Sequence, residues 1–322
     1  MPRADVLLVS LGGTAGLREA DAELADGLRR AGAVVAEAHA ARVREWRTYA
    51  LIELAWARSA RAAAREGIAA HRPRAVLYSS TTAALLAPAP GAIRFDAPAA
   101  GNRPGRHGIW QRPVERRRLA SAELLVPWSE GGLAEAPQPH ADAIVVPVPV
   151  APSGEVAERD IAAITYGANP EKKGLDRVLA AWAAARRPGE ELLVVGLDGA
   201  AKEGVRYTGM LPRTAYRALL RRARVFVCAP RREDYGIAQL EALADGCMLV
   251  TTPSPGPYAA LPVARALDPR LVGGVAEGIR TALDDPAPGY AERALDALAP
   301  WRPEAVDRVI AEQLLPRLQS LA

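Results

Sequence analysis

Short apolar runs alternating with longer segments of helical period restrict this chain's fold more than any other feature of its sequence. Val6–Ser10, Val34–His39, Ala75–Ser79, Ala92–Phe95, Leu124–Pro127 and Ile144–Val146 read as strands. Helical patterns lie between the early ones, near Leu17–Ala31, from about Val43 to Ala70, and briefly at Thr81–Ala87. A second series opens with strand Ala162–Tyr166 and helix Leu175–Ala185. It continues through strand Leu192–Val195, helix Thr214–Arg222, strand Val225–Ala229, helix Ile237–Ala244 and strand Leu249–Thr252. The tail from about Pro303 to Leu321 is helical again. Alternation of this kind predicts parallel sheets covered by helices.

Between the two series, Val148–Glu158 carries Pro149, Pro152, Ser153 and Gly154 and reads as a linker. A length of 322 residues suits two domains of about 150 each. The expected division is 1–150, 151–300 and a C-terminal segment 301–322. Both domains read as doubly wound, facing each other across a cleft, with ligands beyond the carboxyl ends of the strands.

Half of the residues are apolar and 24% are charged, so the chain should bury true cores. Aromatics make up 5%, so those cores are aliphatic. A net charge of +4 suits anionic small molecules or an acidic membrane surface, and without a basic motif it is too weak to argue for nucleic acid, which is not expected as a partner. Cys228 and Cys247 sit in apolar or small-residue runs and read as buried thiols of a reducing compartment. Met1–Ser10 runs straight into a strand, so no signal peptide is expected, and no window of 18 apolar residues occurs. The expected location is cytoplasmic.

Chemistry concentrates between Cys228 and Thr252. A buried strand ends in a polar loop that turns at Gly236, a helix begins at Ile237, and Gly246 stops it. The first N–H groups of that helix, at Ile237 and Ala238, form an anion site that suits a diphosphate. Glu241 lies one turn further, among Leu240, Ala242 and Leu243, where a carboxylate is costly unless it receives hydrogen bonds. Paired ribose hydroxyls would supply them. Glu233, before the turn, is placed to accept from a sugar beyond the phosphates. The bland alternative is a solvated loop glutamate and a surface helix glutamate; the register of strand, turn, helix and stop favours the site.

This segment resembles the E-x7-E motif of retaining glycosyltransferases of family 4, the group 1 type with the GT-B fold. The resemblance extends to Cys247–Thr252, to Gly167–Gly174 with Leu175 and Asp176, to Leu193–Gly196 and to Val205–Leu211. It is looser at Gly12-Gly13 and Val145–Val150. It implies an α/β GT-B fold of two Rossmann-like domains, acceptor domain first and nucleotide-sugar domain second, with the C-terminal helix returning to the first. Glu233 would then contact the transferred sugar and Glu241 the ribose. Main chain at Tyr235, Gly236, Ile237 and Ala238 would meet phosphates and sugar, and main chain at Gly209, Met210 and Leu211 would border the base. Lys173 matches the lysine that neutralises the diphosphate leaving group.

Two departures stand out. Gly167-Ala168-Asn169 lacks the arginine the family carries there, leaving Lys172 or Arg232 as stand-ins. The family's N-domain histidine is absent from Ile93–Pro98, where Asp96 is the nearest polar residue and His107 the next candidate. Gly12 and Gly13 are candidates for close backbone approach to acceptor or phosphate, though Gly-Gly-Thr-Ala-Gly lacks the spacing of a dinucleotide fingerprint. Arg103, Arg106, Arg112, Arg116, Arg117 and Arg118 form the one dense basic tract. The resemblance implies anionic-lipid docking for such a tract, with Trp110 and Leu119 in support; an anionic acceptor or a solvated face are the other readings.

The implied activity moves a sugar from a nucleotide-sugar, a UDP-sugar by preference, to a hydroxyl of a sugar, lipid or small molecule. It proceeds with retention by a front-face mechanism, with no cofactor and no metal. His39, His71 and His140 have no partners at ligand spacing. The rival readings are a non-catalytic nucleotide-sugar binding protein and a GT-B epimerase.

Overall fold

Nine of the apolar runs, with Val205–Gly209, which was not read as a strand, become ten parallel strands in the computed structural model, which describes residues 3–44, 48–103, 105–140, 142–155 and 157–321. The chain divides into two compact units, Met1–Pro149 with Pro303–Ala322, and Val150–Arg302.

The first unit runs β1 (Val6–Ser10), α1 (Ala15–Arg30), β2 (Val35–His39), α2 (Tyr49–His71), β3 (Ala75–Tyr78) and α3 (Thr81–Ala84). It continues with β4 (Ala92–Phe95), α4 (Ala99–Asn102), α5 (Gln111–Ala120), β5 (Leu124–Pro127) and α6 (Glu130–Ala134). The strand order is β2-β1-β3-β4-β5, so the winding reverses between β1 and β3. Alternation along β1 splits the core into two layers. Val6 and Leu8 pack with Leu24 and Leu28 of α1 and with Val306, Ile310, Leu314 and Leu318 of the tail. Leu7 and Val9 face the other way, against Ala60 and Ala64 of α2 and Leu119 of α5. The tail is helical over Pro303–Val309, makes a π-turn at Ile310–Leu314 and ends with Leu315–Gln319. Arg30 clamps it through both oxygens of Asp307, at 2.7 Å each.

Two expectations in this unit need correction. Ile144–Val146 forms no strand. Its N–H groups at Ile144 and Val146 donate to Leu125 and Pro127 at 2.9 Å, but Pro147 and Pro149 bring no donors and the pairing stops. The helical stretch expected from Val43 starts only at Tyr49; residues 45–47 lie outside the described set. The sequence also gave no sign of the buried Arg94 on β4. Its guanidinium lies 4.8 Å from the Trp128 ring and pairs loosely with Asp21, whose carboxyl burial pushes upward.

The second unit runs β6 (Ile161–Tyr166), α7 (Pro170–Lys173), α8 (Leu175–Ala185), β7 (Leu192–Val195), β8 (Val205–Gly209) and α9 (Arg213–Arg222). β9 (Ala223–Val227), α10 (Ile237–Ala244), β10 (Met248–Val250), α11 (Ala260–Leu267), α12 (Val275–Asp284) and α13 (Tyr290–Ala297) complete it. The order is β10-β9-β6-β7-β8. The winding therefore reverses between β6 and β9, and the loops after those strands border the crevice where open α/β sheets bind ligands. α11 to α13 were not foreseen: each is short and set among prolines and glycines, yet each buries an apolar face, as at Leu261, Ile279 and Ala294. β9 begins and ends two residues earlier than expected. The expected linker is tied down, since Ser153 donates through N and Oγ to Asp245 at 2.8 and 3.0 Å. Cys228 and Cys247 are free, buried thiols, and burial pushes Cys247 up to about 12.

Candidate active site

The polar loop after β9 is sewn to the segments that follow β6 and β10. Arg231 N donates to Lys172 O at 2.9 Å, and Glu233 N to Pro255 O at 3.1 Å. Ala259 N donates to Tyr235 O at 3.0 Å, and Trp301 Nε1 to the Tyr235 hydroxyl at 3.0 Å. A side chain at Gly174 would collide with the Ala229 carbonyl, so only glycine allows the two loops to meet. Gly236, at φ +93°, turns the loop into α10, and Gly246, at φ +80°, follows its end. The N–H groups of Ile237 and Ala238 open the helix, where no intrahelical acceptor exists for them.

Both glutamates of the motif are buried, each 4% exposed. Glu233 Oε2 accepts from Lys173 Nζ at 2.7 Å and from Gln239 Nε2 at 2.9 Å. Glu241 Oε1 accepts from Arg213 Nε and Nη2 at 3.1 and 2.8 Å and from Arg217 Nη1 at 3.3 Å. These hydrogen bonds all fall on one oxygen of each carboxylate, Glu233 Oε2 and Glu241 Oε1. Arg217 also donates to Asp245 Oδ2 at 2.6 Å and to Ala151 O at 2.8 Å. The sequence reading missed Gln239, Arg213, Arg217 and Asp245. The signal was present, because two carboxylates on an apolar helix require cations from elsewhere, and α9 supplies arginines one turn apart.

Lys172 and Arg232, the two stand-ins for the absent arginine, both pair with the buried Asp234; Arg232 Nε lies at 2.7 Å. Lys172, Lys173 and Arg232 face Glu233 and Asp234, three cations against two anions beside a helix N-terminus. At the edge of the sheet, Gly209 takes φ +67° and hydrogen-bonds both ways, its N to Leu197 O at 3.2 Å and its O from Gly196 N at 2.9 Å. A Cβ there would come within 2.6 Å of Asp198 Oδ1. Met210 is exposed and Leu211 half-buried. The buried Tyr216 phenol, 5.7 Å from the Tyr166 ring, is pushed well up by burial and then by the Glu241 charge.

In the first unit, Gly12 takes φ +61° and its carbonyl accepts from Arg18 Nη1 at 2.8 Å; Gly13 follows it into α1. Asp96 follows β4, half-buried, and its Oδ1 accepts from Ala97 N at 2.7 Å. His107 is exposed, its ring edge-on to Tyr49 at 5.7 Å. The basic tract is split. Arg103 donates to Glu53 and Arg118 to Leu85 O, while Arg106, Arg116 and Arg117 are exposed. Leu119 is 1% exposed and packs in the core, so it is not part of any docking face. Glu115 of α5 holds Ala99 N at 2.7 Å, and burial raises its carboxyl to about 7.

The two five-stranded parallel sheets match solved structures of GT-B glycosyltransferases. A sucrose-phosphate synthase from Thermosynechococcus elongatus superposes over all of both chains with a TM-score of 0.77 at 15% identity. WaaG, a glycosyltransferase involved in lipopolysaccharide biosynthesis, gives 0.67 at 15% identity over 96% of this chain and 99% of that one. Anabaena HepE, solved with UDP and glucose, gives 0.70 at 12% identity over 97% and 99%. The fold is GT-B. Residues 160–285 match the family model of glycosyl transferases group 1. A glycogen synthase of Mycobacterium tuberculosis is 35% identical over 133 residues, 36% of this chain and 32% of that protein. The chain therefore spans about a third of the length of the curated relatives it matches.

Proposed function

We propose that the protein is a retaining glycosyltransferase that moves a sugar from a nucleotide-sugar to a hydroxyl acceptor. The observation that carries the reading is the pair of buried glutamates, each held by protein donors through one oxygen, on either side of the first N–H groups of α10. Ribose hydroxyls donate to Glu241 Oε2. The diphosphate lies at Ile237 and Ala238 with Lys173 as its cation, joined by Lys172 or Arg232 from around Asp234. Sugar hydroxyls donate to Glu233 Oε1, and Gly209 to Leu211 border the base. UDP is the preferred nucleotide, in keeping with the ligand of HepE.

The reaction is front-face. The bond from the anomeric carbon to the phosphate oxygen breaks, the acceptor oxygen bonds on the same side, and its proton passes to the departing phosphate. Positioning and charge stabilisation by Lys173 and the helix N-terminus supply the catalysis, with no protein nucleophile and no metal in the scheme. On the acceptor side, Asp96 is favoured over His107, since it follows a strand half-buried while His107 is exposed and lies edge-on to an exposed ring.

Thermal shifts with UDP, GDP, ADP and dTDP test the donor: a matching nucleotide at 100 times its Kd adds about 2.7 kcal/mol. Incubation with radiolabelled nucleotide-sugars then separates transfer from mere binding. Acceptor-dependent release of free nucleotide supports transfer, and tight binding without turnover across many acceptors makes the chain a binding protein. Among the described residues no helix is long and apolar enough to cross a membrane. A cytoplasmic enzyme touching anionic lipid peripherally is proposed from exposed Ile109, close in sequence to exposed Arg106, Arg116 and Arg117, and from exposed Tyr49, whose ring meets His107 beside them. Co-flotation with phosphatidylglycerol vesicles and not with phosphatidylcholine vesicles is expected; equal recovery from both sinks the idea.

A further inference from the structure

Gln239 is 2% exposed on α10 and takes no part in the scheme above. Its Nε2 donates to Glu233 Oε2 at 2.9 Å and approaches Cys228 Sγ at 3.7 Å. Reversing the amide would set its oxygen against the carboxylate, so the network fixes the orientation. The other end, Oε1, is buried without a partner, beside Gly236 and the Tyr258 ring. A buried acceptor left unmatched is a standing cost that methionine or leucine would avoid. What the amide alone supplies is the donor to Glu233.

That donor matters because Glu233 has two of different kinds. Lys173 lies 23% exposed on the short helix α7 and is the cation proposed for the phosphates. Gln239 is held within α10 and carries no charge. The geometry points to Gln239 as a positioning residue: it holds the Glu233 carboxylate when Lys173 turns to the donor's diphosphate, keeping Oε1 aimed at the transferred sugar. This rests on the donor site proposed above and adds to it a residue selective for the sugar end of the donor.

Titration calorimetry tests it with UDP and UDP-glucose, or with the nucleoside diphosphate and its glucose conjugate that the native chain binds most tightly. In Gln239→Met the diphosphate binds within twofold of native, while the glucose conjugate weakens about tenfold, the order of one hydrogen bond. A purely structural role would weaken both equally. Gln239→Glu keeps the shape but removes the donor. With both carboxylates ionised at pH 8, it should weaken the glucose conjugate at least as much as Gln239→Met does. As pH falls and a proton is shared between the two facing carboxylates, it should recover relative to the native chain at the same pH.

A conjugate-to-diphosphate ratio unchanged in Gln239→Met, or no recovery of Gln239→Glu on acidification, overturns the assignment. If Gln239→Met does not fold, the isosteric variant decides alone. If the native chain binds none of the nucleotides, the donor site itself fails, and this assignment with it.

Discussion

Glu233→Gln is expected to lower sugar transfer by about 10²- to 10³-fold, the range seen when one transition-state stabiliser is removed, while the nucleoside diphosphate still binds. The substituted amide oxygen can still accept from Lys173 and Gln239, so the loop that Pro255 and Tyr258 hold should keep its path. What disappears is the negative charge facing the sugar as positive charge develops at its anomeric carbon. Lys173 loses its counter-ion and becomes more available to the diphosphate. The diphosphate Kd should therefore stay level or tighten, and the loss should appear in kcat and in the binding of the sugar conjugate. Lys173→Ala reverses the pattern, weakening diphosphate binding as well as turnover. A Glu233→Gln enzyme within threefold of native activity would remove Glu233 from the mechanism.

Much of the second unit was legible because its physics is local. Gly236 and Gly246 bracket α10 in the sequence as they do in space, and the helices Leu175–Ala185 and Ile237–Ala244 have the expected ends. The strand pattern likewise foretold the parallel sheets. Non-local partners were not legible. Arg213 and Arg217 stand 28 and 24 residues from Glu241, and only the packing of α9 against α10 brings them to it. Asp234 collects Lys172 from 62 residues away. α11 to α13 went unseen because Pro-Gly stretches such as Pro253–Pro257 read as loop, while helices of eight to ten residues depend on burial more than on propensity. In the first unit, Ile144–Val146 had the composition of a strand and lost its ladder to two prolines further on. Lone side chains such as Asp96 and His107 were placed by position in sequence, which says nothing of whether a ring ends on the surface.

The same non-local packing sets up the largest expected stability effect. Arg217 is 5% exposed and is the only cation shared by Glu241 and Asp245 among their contacts described above. Arg217→Met preserves the stem and removes the charge. Two buried carboxylates then lose their common partner, and breaking a buried ion pair from one side costs about 3–5 kcal/mol. For a unit near 150 residues that corresponds to a melting temperature lower by about 6–20 °C. Arg213→Ala should differ. Arg213 is 40% exposed in its side chain, so its removal costs about 1 kcal/mol or less in stability. Its effect should appear instead in nucleotide binding, because Glu241 Oε1 loses two of its three donors and the carboxylate is freer to turn from the ribose. Calorimetry of both variants, with and without UDP, distinguishes the roles. If Arg217→Met melts within 2 °C of native, the buried network is not what holds α9 to α10. If Arg213→Ala binds UDP as the native chain does, Glu241 needs no second arginine to aim it.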